Sequence, residues 1–219
     1  GRHFRAGADV VETNTFGSTP LVLAEYGLAG KAYEISKRAA ELAGDAAREF
    51  ATPNKPRFVA GAMGPTTKTI SVTGGVTFDE LIDAYYHQAR GLLDGGIDLF
   101  LIETSLDTRN LKAALIAVRR YMAESERSRP IMISGTLEPT GTMLAGQAVD
   151  ALYTSIEHAR PISIGLNCST GPEFMTDHIR TLSDLAKNYV TCYPNAGIPD
   201  EDGKFHETPE LIAKKLERF

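Results

Sequence analysis

The chain has 219 residues, of which 42% are hydrophobic and 23% charged, a composition that supports one large core and argues against a disordered protein. Its formal net charge of -5 at pH 7 provides no basic surface, so nucleic acid is not expected as a partner. No apolar run approaches the roughly 18 to 20 residues that span a bilayer, so we expect no membrane segment and a cytoplasmic protein.

Six short segments rich in apolar and β-branched residues predict strands. They occupy residues 9–16, 57–64, 97–104, 130–137, 161–168 and 189–195. Apolar residues fill both faces of each segment instead of alternating with polar ones. This pattern is typical of strands that are buried inside a parallel sheet.

Amphipathic segments between these strands predict helices. The clearest runs from Thr77 to Gly95, because Thr77 and Glu80 have capping-box spacing, an apolar stripe follows and two glycines end the segment. A second stripe runs from Leu111 to Met122. Pro172 and Pro209 each stand where the first turn of a helix accepts proline.

Strands that alternate with helices through short connections predict a parallel sheet, either closed into a barrel or left open. We favour an α/β fold of the (β/α)8 TIM-barrel type, which has eight strands in about 250 residues and of which six strands are visible here. The first residues resemble the end of a helix that enters a strand, and the last residues form a helix with no strand after it. We therefore interpret residues 1–219 as one truncated barrel domain that contains strands 2 to 7 and lacks strands 1 and 8.

Polar residues concentrate where the predicted strands end, at the edge that carries ligands in barrels and open α/β sheets. Glu103 shares one face of its strand with Leu99 and Leu101, so its carboxylate follows two apolar layers and requires a cationic partner. A substrate ammonium group meets this requirement, and so does an internal salt bridge or a helix cap. We favour the substrate ammonium group as the partner of Glu103.

Two cysteines are too few for a disulfide framework, so each is a packed thiol, a nucleophile or a metal ligand. Cys168 ends its strand just before a predicted helix, whose positive end favours the thiolate that nucleophiles and zinc sites need, although a buried structural cysteine is the alternative. Cys192 is expected to be a core residue that faces the helices, because Thr191, Tyr193 and Asn195 share the other side of its strand. The five histidines show no metal-binding spacing, and no nucleotide-binding or serine-hydrolase motif is present.

Five motifs together resemble the homocysteine S-methyltransferase family. They are ETNTFG (12–17), GAMGPT (61–66), LIETSLDT (101–108), GLNCSTGP (165–172) and CYPNAGIP (192–199). The motifs follow one another in the family's order over essentially the whole chain. The PNAG stretch looks most like the homocysteine-binding domain of cobalamin-dependent methionine synthases.

The resemblance implies a barrel that binds zinc through three cysteine thiolates and presents homocysteine for methylation. Cys168 matches the first zinc ligand, and Asn195 matches an asparagine that can take the fourth position when substrate is absent. The other two zinc ligands are an adjacent cysteine pair on the eighth strand, which these residues do not include. Glu103 matches the glutamate that binds the homocysteine amino group, and Asn14 and Asn167 are expected to line the same pocket.

The implied chemistry agrees with these residue types. A free thiol has a pKa of about 8.5 and is mostly protonated at neutral pH, whereas coordination to zinc removes the proton. The resemblance also implies that the methyl group comes from methylcobalamin. In this family cobalamin and folate are bound by other domains of a longer parent protein, so residues 1–219 alone are expected to be inactive. Three alternatives remain open: a stand-alone methyltransferase that uses betaine or S-methylmethionine, a non-catalytic barrel fragment, and an unrelated barrel with Glu12 and Glu103 as an acid/base pair.

Overall fold

The computed structural model describes all 219 residues, and strands alternate with helices along the chain. The strands are β1 Val10–Glu12, β2 Phe58–Met63, β3 Leu99–Ser105, β4 Ile131–Gly135, β5 Ser163–Asn167 and β6 Tyr189–Tyr193. The α-helices are α1 Arg2–Arg5, α2 Pro20–Leu23, α3 Ala32–Phe50, α4 Phe78–Asp94, α5 Thr108–Glu124, α6 Val149–Ile156, α7 Pro172–Leu185 and α8 Pro209–Leu216. Each of the six predicted strands is found, and each is shorter than predicted.

The strands form one six-stranded sheet in the order β1-β2-β3-β4-β5-β6, so that each strand neighbours the next one in the chain. The pairs β1 with β2, β2 with β3, and β5 with β6 are parallel. Sequential parallel strands joined by helices are the repeating unit of a TIM barrel, so this α/β fold is compatible with a truncated barrel. The assignment of the strands to barrel positions 2 to 7 stays a prediction.

Several helices begin as the sequence predicts. At the start of α4, the Glu80 amide donates to Thr77 Oγ1 at 3.2 Å and the Thr77 amide donates to the Glu80 carboxylate at 2.7 Å, which completes a capping box. The hydrogen bonds from Thr77 lower the pKa of the Glu80 carboxyl. Pro172 and Pro209 are the first residues of α7 and α8.

The longest helix, α3 with 19 residues, is not among the predicted helices. Its buried positions are all small: Ala32, Ser36, Ala40, Gly44 and Ala47. They form no stripe of large apolar residues, which is the signal that periodicity detects. Small residues also allow close packing on α4, where a Cβ added at Gly91 would lie 2.5 Å from the Tyr33 carbonyl oxygen.

The chain divides into two compact units, each made of two segments. Unit 1 comprises Gly1–Ile102 and Arg109–Met132, and unit 2 comprises Glu103–Thr108 and Ile133–Phe219. The single homocysteine-binding domain over residues 1–219 stays a prediction. None of the helices is both long enough and apolar enough to cross a bilayer.

Side-chain alternation gives the strands of unit 1 two distinct faces. One face carries a buried apolar cluster of Ala60, Leu99 and Leu101, with Met132 packed against it. The other face meets the helices, because a Cβ added at Gly61 would lie 3.2 Å from Leu92 of α4. We call the face with the apolar cluster the inner face. Glu103 continues it along β3, two residues after Leu101.

Candidate functional site

Four of the five predicted site residues lie in unit 2, near the carboxyl ends of three strands. Glu103 belongs to β3, Asn167 ends β5, Cys168 follows directly, and Asn195 stands two residues beyond β6. Glu103 and Asn167 are buried, with 6% and 4% exposure, whereas Cys168 and Asn195 are half-buried. These residues therefore occur at the edge of the sheet where ligand chemistry is expected.

The side-chain amide of Asn167 connects three strands of unit 2. Its Oδ1 accepts hydrogen bonds from the Thr104 amide at 3.0 Å and from Ser134 Oγ at 2.6 Å. Its Nδ2 donates to Thr104 Oγ1 at 2.7 Å. The sequence predicts Asn167 as a pocket-lining residue. In the structure, the Asn167 side chain holds Thr104, the neighbour of Glu103, in place. These bonds use most of the hydrogen-bonding capacity of Asn167.

Replacing Asn167 with alanine is expected to lower the free energy of unfolding by about 2 kcal/mol, because the buried Thr104 amide and the Ser134 hydroxyl lose their partner. Urea unfolding at pH 7 measures this change. Asn54→Ala, at an exposed asparagine, is the control and should change the unfolding free energy by less than about 0.5 kcal/mol. Equal values for the two variants would contradict the positioning role of Asn167.

Three non-glycine residues beside the predicted ligands have a left-handed backbone. The φ angle is 54° at Thr104, 61° at Cys168 and 59° at Ser169. Such angles are costly for residues other than glycine, of order 1 kcal/mol or more each, and persist where the surroundings enforce them. Here the Thr104 amide is held by Asn167, and the Thr170 amide donates to the Cys168 carbonyl oxygen at 2.7 Å. Strained backbone of this kind clusters at functional sites.

Backbone contacts hold together the segments that follow β5 and β6. The Cys168 amide donates to the carbonyl oxygen of Tyr193 at 3.4 Å, and the Asn195 amide donates to that of Thr170 at 3.1 Å. A Cβ added at Gly171 would lie 2.9 Å from the Cα of Gly197, so the two segments touch through glycine. The structure thus brings the segments of Cys168 and Asn195, the two predicted zinc ligands, to the same edge of unit 2.

The second cysteine faces the helices, as the alternation in β6 predicts. Cys192 Sγ lies 3.7 Å from the Sδ of Met175 in α7. Burial raises the pKa of the Cys192 thiol to about 11. Because the thiolate is the form that attacks electrophiles and binds metals, Cys192 is unsuited to either role at neutral pH.

Asn14 is the one predicted site residue in unit 1. Asn14 stands two residues beyond the end of β1. The side chain of Asn14 is exposed, whereas its neighbours Thr13 and Thr15 are buried and hydrogen-bonded to each other at 2.6 Å. Its role as a substrate contact stays a prediction.

Glu12, the proposed acid/base partner of Glu103 in the third alternative, also lies in unit 1. It lines an open cleft of about 700 Å³ between β1 and α3, together with Asn14. Desolvation raises the pKa of the Glu12 carboxyl, and the nearby His3 opposes this change. Glu103 belongs to unit 2, so the two carboxylates occur in different units.

The residues predicted to hold zinc are of suitable types but too few. Cys168 offers a thiolate and Asn195 an amide oxygen, and zinc accepts sulfur and oxygen ligands. Nowhere among the 219 residues do three or more histidine, cysteine, aspartate or glutamate side chains form a group able to hold a metal ion. A catalytic zinc site has three protein ligands, so Cys168 and Asn195 provide only part of one.

Solved structures with the same fold include those of the homocysteine methyltransferase MmuM from Escherichia coli. The metallated form has a TM-score of 0.75 and 22% identity over 89% of this chain and 69% of that chain. The oxidised form has a TM-score of 0.74 and 22% identity over 88% of this chain and 68% of that chain. The apo form has a TM-score of 0.70 and 18% identity over 99% and 82%.

The family assignment comes from the sequence itself. At identities of 22% and 18% the similarity to MmuM shows a shared fold. The sequence profile of the homocysteine S-methyltransferases matches residues 2–219, which is almost the whole chain, and this confirms the resemblance carried by the five motifs. The chain therefore belongs to the homocysteine S-methyltransferase family.

Proposed function

We propose that the protein binds homocysteine and presents its thiol for methylation, which gives methionine. The observation that carries this proposal is the placement of Glu103, Asn167, Cys168 and Asn195 at one edge of unit 2 in a member of this family. In this arrangement a buried carboxylate and a half-buried cysteine lie at the edge where the amino group of the substrate and a metal for its sulfur would bind.

Glu103 is the proposed ligand of the homocysteine ammonium group. Glu103 is buried, so its carboxylate attracts a positive charge more strongly than an exposed carboxylate does, because water screens the pair less. Asn167 supports this carboxylate through the Thr104 backbone, as described above. Asn14 is proposed as a further contact of the substrate.

We propose zinc as the metal and Cys168 and Asn195 as the ligands that these residues contribute. Bound zinc would supply one piece of chemistry, the removal of the thiol proton from homocysteine at neutral pH. The left-handed backbone at Cys168, held through Tyr193 and Thr170, supports a side chain that is fixed before the metal arrives.

The proposed methyl donor is methylcobalamin, and the proposed partners are cobalamin-binding and folate-binding domains of a parent methionine synthase. The PNAG stretch at residues 194–197 supports this choice. In the reaction, the homocysteine sulfur forms a bond to the methyl carbon, the thiol proton passes to solvent, and the bond from the methyl carbon to its donor breaks. Three alternatives stay open: a betaine or S-methylmethionine donor, a non-catalytic fragment because the metal ligands are incomplete, and an unrelated barrel with Glu12 and Glu103 as an acid/base pair.

One experiment separates these possibilities. The protein is incubated with zinc, homocysteine and, in parallel, methylcobalamin, S-methylmethionine or betaine, and methionine is measured by mass spectrometry while calorimetry measures homocysteine binding. Methionine from methylcobalamin alone supports the proposal, and methionine from either small donor supports the stand-alone enzyme. Homocysteine binding without methionine from any donor indicates a fragment that binds only. Absence of homocysteine binding overturns the proposed function.

A further inference from the structure

A buried hydroxyl without a hydrogen-bond partner lies at the same edge of unit 2. Thr136 follows β4 directly and is 2% exposed, and its Oγ1 has no hydrogen-bond partner in the structure. Buried polar atoms without a partner are rare in native proteins, because they lose their hydrogen bonds to water and gain none in return. At a ligand-binding edge, such an atom points to a partner supplied by the ligand.

Alternation along β4 places the Thr136 side chain on the inner face. Met132 packs against the inner apolar cluster, and Ser134, two residues later, donates to Asn167. The intervening Gly135 faces the helices, since a Cβ there would lie 2.5 Å from Leu152 of α6. The next position after Ser134 on the inner face is therefore Thr136.

Backbone pairing places Thr136 beside the end of β3, which contains Glu103. The Thr136 amide donates to the Ser105 carbonyl oxygen at 3.1 Å, two residues beyond Glu103. Glu103 and Thr136 are thus buried polar residues on the inner face of adjacent strand ends. The hydroxyl of Ser134 is already used by Asn167, whereas that of Thr136 is not used.

We propose that Thr136 is a substrate-binding residue whose Oγ1 accepts a hydrogen bond from the α-ammonium group of homocysteine, beside Glu103. This inference rests on the proposed function. An ammonium group has three N–H donors, which one carboxylate does not satisfy in a buried site. The Thr136 hydroxyl supplies the next acceptor.

The consequence is selection for thiols that carry an amino group. When a thiol without the amino group binds, Thr136 Oγ1 stays buried and unpaired, and the site loses the free energy of that hydrogen bond. The hydroxyl therefore contributes to specificity for an amino-acid thiol over a simple carboxylic-acid thiol of the same length.

Ser163 provides an internal comparison for this proposal. Its Oγ is also buried, at 3% exposure, and also lacks a hydrogen-bond partner. Ser163, however, is the first residue of β5 and so lies at the amino end of the sheet, opposite to the edge that carries Glu103. Removal of its hydroxyl tests what the loss of a buried, unpaired hydroxyl does when no substrate is near.

The test compares Thr136→Val, which removes the hydroxyl and nearly keeps the shape, with Thr136→Ser and Ser163→Ala. Calorimetry with zinc present measures the Kd of homocysteine and of 4-mercaptobutanoate, which lacks the amino group. Thr136→Val should raise the Kd of homocysteine about tenfold, as expected for one lost hydrogen bond to a charged group. The Kd of 4-mercaptobutanoate should stay within about twofold. Thr136→Ser and Ser163→Ala should leave both Kd values within about twofold.

Urea unfolding separates binding from structure. Because a hydroxyl without a partner does not stabilise the fold, Thr136→Val and Ser163→Ala should unfold at the same or a higher urea concentration than the unmodified protein. If the ratio of the two Kd values is unchanged in Thr136→Val, whether neither affinity changes or both fall equally, this inference is wrong and the proposed function still stands. If Thr136→Val does not fold, Thr136→Ala takes its place, and the same changes in the two Kd values are expected. Absence of homocysteine binding by the unmodified protein overturns the proposed function, and this inference with it.

Discussion

Cys168→Ala is expected to weaken zinc binding by at least about 100-fold, because loss of a residue that only supports a metal ligand already costs about 10- to 100-fold. The zinc content of the protein should fall accordingly. The other cysteine, Cys192, packs against Met175 of α7, so it is not placed to replace Cys168 as a metal ligand. Zinc per chain is measured by elemental mass spectrometry, and methionine formation in the donor assay gives the activity.

Cys192→Ala is the matched control. This cysteine packs against Met175, so its loss should lower the free energy of unfolding by about 1 kcal/mol and leave zinc content and activity unchanged. Both variants remove one thiol from a half-buried cysteine, and they differ in position: Cys168 directly follows β5, whereas Cys192 lies within β6 and packs against α7. Unchanged zinc in Cys168→Ala, or equal losses in the two variants, would refute the proposed metal role.

The strands and the start of α4 follow from local sequence. A strand with apolar residues on both faces can bury both only inside a sheet that is covered on both sides. This pattern predicts β2 and β3 correctly but does not give their exact ends. The capping box of Thr77 and Glu80 is likewise a local signal. By contrast, α3 buries only small residues, which recur three or four positions apart. The helical period is thus present in the sequence, but a search for stripes of large apolar residues does not find it.

Some residues of the proposed site stand out in the sequence. Glu103 and Cys168 stand out because a polar residue ends an apolar strand. The hydrogen bonds of Asn167 were not predictable, since they join residues 33 and 63 positions apart and depend on which hydroxyls face inward. A serine within the apolar segment IMISG was the only available hint.

The left-handed backbone at Thr104, Cys168 and Ser169 gives no signal in the sequence, because glycine is the residue that usually marks such angles. The unpaired hydroxyl of Thr136 is invisible for a similar reason. Whether a buried hydroxyl has a partner depends on side chains from other strands, whose register the sequence leaves open. The features on which the proposed ligand site depends are therefore those that arise only after folding.

Glu103→Gln is expected to weaken homocysteine binding on the order of 100-fold, because a buried ammonium group would then face a neutral amide in place of a carboxylate. The glutamine side chain keeps the shape of glutamate, so packing on the inner face changes little. Calorimetric titration with homocysteine at pH 7 measures the affinity. Titration with 4-mercaptobutanoate should show a much smaller change, since that ligand brings no ammonium group to the site.

Glu12→Gln is the control for charge, because Glu12 is another carboxylate at a strand end but belongs to unit 1. Homocysteine affinity should stay within about twofold in this variant. If instead both glutamine variants bind homocysteine normally and both lose turnover, the two carboxylates act on protons and not on the ammonium group, and the acid/base alternative is correct. A loss of affinity confined to Glu103→Gln assigns the carboxylate of β3 to the substrate, because charge at one strand end then decides binding and charge at another does not.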